Sequence, residues 1–190
     1  MKLYEGILRI LDERGPLPFS FIYNEARNLF NSNETAFDPG EVQNAVARKR
    51  DLFLINNEIV SIHPDKDLLQ VHVFAEMPGK PACQCIINFE KERFVYTEWL
   101  DNGFPNHSPK HFPGTFGDIR LFKAAVYKLA IWDWEQTYIT GEGIILNGNS
   151  WFVHIKTKTT EYKVSGHNGY PENWQSLCRA LHVLTGSPYW

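Results

Sequence analysis

Apolar residues recur at helical spacing through the first third of the chain, and later they alternate with polar ones. Leu3, Ile7, Leu8, Ile10 and Leu11 share one face of a helix expected over 3–14, which Gly15-Pro16 stops. A second helix is expected over 20–30, burying Phe21, Ile22, Ala26, Leu29 and Phe30, with Asn31-Ser32-Asn33 ending it. Asp38-Pro39-Gly40-Glu41 then supplies a capping carboxylate, a proline suited to the first helical position and a glutamate three residues on. A third, short helix should begin there, with Val42, Ala45, Val46 and the stem of Lys49 on its inner face. The runs at 52–55 and 58–62 flank Asn56-Asn57, whose side chains tolerate positive φ, and so predict a tight two-stranded hairpin.

Beyond His63-Pro64-Asp65-Lys66-Asp67 the period changes, which divides the chain into residues 1–65 and 66–190. Strands are expected over 69–77, 82–89 and 93–99, with Pro78-Gly79-Lys80-Pro81 turning the first into the second. A loop containing Gly, Pro and His follows, and Asp118 caps a helix running to about 131 whose Ile119, Phe122, Val126, Leu129 and Ala130 can face a sheet. Strands over 143–146, 151–157 and 161–165 and a helix over 172–184 complete the pattern. The predicted class is α+β: three helices plus a β-hairpin, then an antiparallel sheet with two helices in the order βββα-βββα. Similarity between the two βββα halves rests on element order alone.

The order helix, helix, capped helix, hairpin resembles a winged helix-turn-helix, and Leu17, Pro18 and Phe53 stand where the HARE-HTH group carries its leucine, proline and phenylalanine. That resemblance implies a third helix laid in the major groove of DNA. Gln43, Asn44, Ala47 and Arg48 lie away from its inner face, and Lys49 and Arg50 follow near the phosphates. Gln and Asn suit adenine and Arg suits guanine. The segment 166–174, with Tyr170-Pro171-Glu172-Asn173-Trp174, resembles a stretch near the end of uncharacterised proteins of Gram-positive bacteria, which implies a bacterial origin. Its residues also have a structural reading: Asn168-Gly169 supplies positive φ, Pro171 opens a helix, and Tyr170 and Trp174 pack as a clasp.

Charge pulls against strong sequence-independent DNA binding. Residues 1–65 hold seven Lys/Arg against ten Asp/Glu, whereas residues 66–190 hold twelve of each. Non-specific affinity for DNA comes from neutralised phosphates, so only the Arg48-Lys49-Arg50 cluster favours it here, and those residues also complement a helix dipole. The alternative is a protein-interaction module, an adaptor or an inhibitor of mobile-element origin that binds a host protein. Among the six tryptophans, Trp99, Trp132 and Trp134 are the candidates for a partner surface, set against the plainer reading that tryptophans fill the seam between helices and sheet.

With 43% hydrophobic residues, no apolar run of membrane-spanning length and no leader at Met1-Lys2-Leu3, the chain is expected to be globular, cytoplasmic and without membrane association. Cys83, Cys85 and Cys178 cannot build a disulfide framework and read as buried free thiols. His107 and His111 are four apart, but Pro109 interrupts the turn and a third ligand is missing, so no metal is expected. Gly141-Glu142-Gly143 lacks the third glycine of a dinucleotide fingerprint, and Glu90 and Glu92 read as a solvated hairpin edge. No catalytic motif is present, and the chain is read as a non-enzyme without cofactor.

Overall fold

The structure is a computed structural model describing residues 1–30, 38–100, 103–106, 116–140 and 148–189. Its contacts divide the chain into Met1–Asp67 and Leu68–Trp190. The fold is mixed α+β, with one sheet in each unit.

In the first unit the order is α1 (Leu3–Arg14), β1 (Leu17–Pro18), α2 (Phe19–Phe30), α3 (Pro39–Ala47), β2 (Phe53–Asn56) and β3 (Ile59–Ile62). Helix α1 stops at Gly15, whose φ of 79° is open to glycine, and its N–H closes the last turn on the Leu11 carbonyl. The two residues of β1 pair with β3, giving an antiparallel sheet in the order β1-β3-β2. Ile7, Leu11, Ile22, Ala26, Val42, Val46, Phe53 and Val60 form the core. Leu17 and Pro18 thus lie opposite Val60 and Ile59, while Phe53 is buried opposite Ile62.

Two expectations in this unit need correction. Phe21 is 61% exposed, because Ile22 and Ala26 alone set the roll of α2 and carry Phe21 round to solvent. The hairpin turns one residue later than expected, at Asn57 and Glu58, both at positive φ (48° and 64°). That turn places buried Phe53 opposite buried Ile62 and Ile55 opposite Val60, so packing at the base of the hairpin outweighs the strain of Glu58.

In the second unit β4 (Leu68–Glu76), β5 (Ala82–Asn88) and β6 (Arg93–Trp99) form a meander, followed by α4 (Ile119–Leu129) and a 3-10 turn (Ile131–Asp133). Strands β7 (Thr137–Ile139), β8 (Ser150–Thr157) and β9 (Glu161–His167) and helix α5 (Trp174–Thr185) complete it. The sheet order is β6-β5-β4-β8-β9-β7. The sheet is not purely antiparallel: β7 joins β9 in parallel, because β9 inserts between β7 and β8 and so runs with one and against the other. The expected strand at 143–146 falls outside the described residues, as does the expected end of α2 at Asn31-Ser32-Asn33.

One face of this sheet is the core. Val71, Val73, Cys85, Ile87, Val153, Ile155 and Val164 pack against Phe122 and Val126 of α4 and Trp174, Leu177 and Leu181 of α5, all nearly inaccessible. Asp118 caps α4 by accepting from the Arg120 N–H at 2.7 Å, and Arg120 reaches back to Glu92 at 2.8 Å, tying α4 to the β5–β6 hairpin. Glu92 therefore pairs with a cation, not with Glu90.

Candidate nucleic-acid interface

Helix α3 is short and depends on its caps. Asp38 Oδ1 accepts from the Glu41 N–H at 2.9 Å and the Asp38 N–H donates to Glu41 Oε2 at 3.1 Å, a reciprocal box with Pro39 in the first turn. Asp38→Ala is expected to cost the first unit about 1 kcal/mol, read as a lower denaturant midpoint at unchanged slope. An unchanged midpoint would mean that α3 is held by packing alone.

Buried Val42 and Val46 fix the roll of α3, so Gln43, Asn44 and Ala47 face solvent as one exposed row. Arg48 continues that row as the C-cap, its N–H bonded to the Asn44 carbonyl at 3.0 Å, and Arg50 is exposed in the turn that follows. Lys49 differs. It is half-buried, its Nζ lies 5.3 Å above the Tyr4 ring of α1, and its carbonyl accepts from Leu52 and Phe53 N–H groups. Lys49 therefore braces α3 against α1 and the hairpin, and the exposed positive charge of this segment sits on Arg48 and Arg50.

The hairpin has no Lys or Arg from residue 52 to residue 62. Leu54, Ile55 and Ile59 are each more than 40% exposed, and the Phe19 N–H meets the Glu58 carbonyl at 3.4 Å, placing the start of α2 beside the hairpin tip. Nothing in the sequence pattern marked these three as exposed, since alternate residues of a strand read as inward until the layer beneath is known.

The tryptophan candidates are not brought together. Trp99 ends the edge strand β6, its Nε1 donating to Gln84 Oε1 at 3.1 Å, whereas Trp132 and Trp134 lie between α4 and β7. Trp132 packs edge-on to Tyr127 with ring centroids 6.0 Å apart. Trp151 and Trp174 are core residues, 3% exposed. His107, His111, Trp190 and the 141–143 segment lie outside the described residues, and among the described residues no three His, Cys, Asp or Glu side chains are grouped to hold a metal ion. None of the described helices is long and apolar enough to cross a membrane. Comparison of the chain with protein-family models, with curated proteins and with solved structures found no match.

Proposed function

We propose that residues 1–67 act as a winged helix-turn-helix reading double-stranded DNA through α3, in a DNA-binding or transcription-associated regulator whose residues 68–190 bind an effector or partner. The observation that carries this reading is the solvent-facing row Gln43, Asn44, Ala47 and Arg48 on a helix whose other face is locked by Val42 and Val46. Two amides and a guanidinium on one exposed helical face are the groups that read base edges in a major groove. Arg50, exposed two residues further on, supports a phosphate contact beside them. The element order α1-β1-α2-α3-β2-β3 with β1 against β3 also supports it.

Duplex DNA should bind with a modest salt dependence, since only two exposed cations serve the interface. Arg48→Ala with Arg50→Ala is expected to weaken binding about 10- to 100-fold at 50 mM salt and to lower the log–log salt slope by about 2. Fluorescence anisotropy with a labelled random duplex between about 50 and 200 mM salt measures both. A slope unchanged by the double substitution would remove α3 from the interface.

A second reading, recognition of a protein, is favoured by the exposed Leu54, Ile55 and Ile59 on a hairpin without cations, in the acidic part of the chain. Under it, Ile55→Asp releases a partner that otherwise survives nuclease treatment; retention of that partner by the variant would exclude the hairpin as its site.

A further inference from the structure

The face of the six-stranded sheet opposite α4 and α5 holds an aromatic centre beside a polar row with a cation at each end. Cross-strand register places His72 opposite His154 and Phe74 opposite Phe152, so four rings from β4 and β8 share this face. Phe74 and Phe152 stack at 5.3 Å, Phe152 and His154 at 4.5 Å, and His72 meets Phe152 edge-on at 4.8 Å. Gln84 lies 2.7 Å from His72 Nε2 and accepts from Trp99 Nε1, extending the ring cluster to β6 through one amide. Partial burial, then the neighbouring His154, lowers the His72 pKa; partial burial, then Lys163, lowers that of His154. Both imidazoles are therefore mainly neutral at pH 7.

Along one margin of the same face the register aligns Arg93, Asn88, Gln70 and Lys156, three strand spacings or about 14 Å from first to last, and Lys163 lies opposite His154 in the next row. Arg93, Lys156 and Lys163 are exposed. Among the described strand residues of this face the carboxylates are Glu161, opposite Lys156 in register and 3.8 Å from Lys163, and Glu76, opposite Ser150 at the far corner.

We propose that this face is a platform for single-stranded nucleic acid, with bases on the His72, Phe74, Phe152 and His154 rings and phosphates along the row from Arg93 to Lys156. Aromatic rings serve any base because every base has a π-face, amides beside them supply polar contacts, and a cation at each end of the flanking row, with Lys163 beside it, can meet phosphates. The proposal is independent of α3, which would read duplex DNA.

The test is anisotropy of the full-length protein with a fluorescein-labelled oligothymidine at about 50 mM salt. Phe152→Ala is expected to weaken binding about tenfold, as loss of one base-stacking ring does. Lys156→Ala with Lys163→Ala, both exposed and neutral to folding, is expected to lower the log–log salt slope by about 1.4. Arg48→Ala with Arg50→Ala should leave this binding unchanged while weakening duplex binding about 10- to 100-fold. Absence of oligothymidine binding, or binding indifferent to the lysine pair, overturns the proposal. So does loss of binding only in the arginine pair, or a nuclease-resistant protein bound to this face.

Discussion

Trp151→Ala is expected to lower the unfolding free energy of residues 68–190 by about 3–5 kcal/mol, the cost of emptying a large aromatic site in a packed core. Trp151 is 3% exposed at the start of β8, and its ring is 4.3 Å from that of Trp174, 5.9 Å from Tyr138 and 6.1 Å from Tyr170. Its Nε1 donates to the Gly169 carbonyl at 2.8 Å, pinning the 168–170 turn to the sheet. Gly166 lies directly beneath the indole, where any Cβ would collide with the ring. Trp151→Phe keeps most of the apolar contact but orphans the Gly169 carbonyl, so its expected cost is smaller, about 1–3 kcal/mol. Guanidinium unfolding followed by far-UV circular dichroism ranks the two. A cost below about 1 kcal/mol for Trp151→Ala would mean that this ring cluster is not the centre of the unit.

The three thiols should be almost inert toward an aromatic disulfide reagent until the protein unfolds. Cys83, Cys85 and Cys178 are each 2% exposed or less, and burial pushes the thiols of Cys85 and Cys178 up to about 12. At pH 8, such a thiol is about one part in ten thousand thiolate, against about a quarter for an ordinary cysteine, so charge alone slows reaction by about three orders of magnitude. Cys83 is raised as well, chiefly by burial, with the Tyr96 hydroxyl 3.3 Å from its sulfur. Release of the chromophore should follow opening of the fold and become prompt in guanidinium. Prompt release from one thiol in native buffer would identify a reactive site among these buried cysteines. The same shifts set a pH dependence. Because the folded values lie above the unfolded ones, neutral Cys85 and Cys178 stabilise the fold fully below about pH 8.5, and that contribution is lost as pH rises toward 12.

Where a residue's role depends on its neighbours in sequence, that role was legible. The reciprocal cap of Asp38 and Glu41, the stop at Gly15, the meander of β4 to β6 and the shared face of Cys83 and Cys85 rest on contacts within a few residues or on strand alternation. The packing of Tyr170 against Trp174, 5.4 Å between centroids, has the same origin in a turn entering a helix. Of the candidate interface, the inward set of α3 and hence its outward row followed from helical period alone.

Long-range packing decided the rest. Lys49 is half-buried, with its ammonium over the ring of Tyr4, forty-five residues earlier. Phe21 went to solvent once two smaller residues of α2 had taken the core. The parallel partner of β7 is a strand about 28 residues further along the chain, and the meeting of His72, Phe74, Phe152 and His154 arises from pairing strands about eighty residues apart. The amino-acid sequence by itself determined the helices, their caps, the longer strands and most of their apolar sides, because those follow from backbone propensity and periodicity, but not the short strands β1 and β7 or the roll of α2. Only the tertiary structure decided which second sides face each other and which face water, because sheet order and register are set by burial summed over both layers.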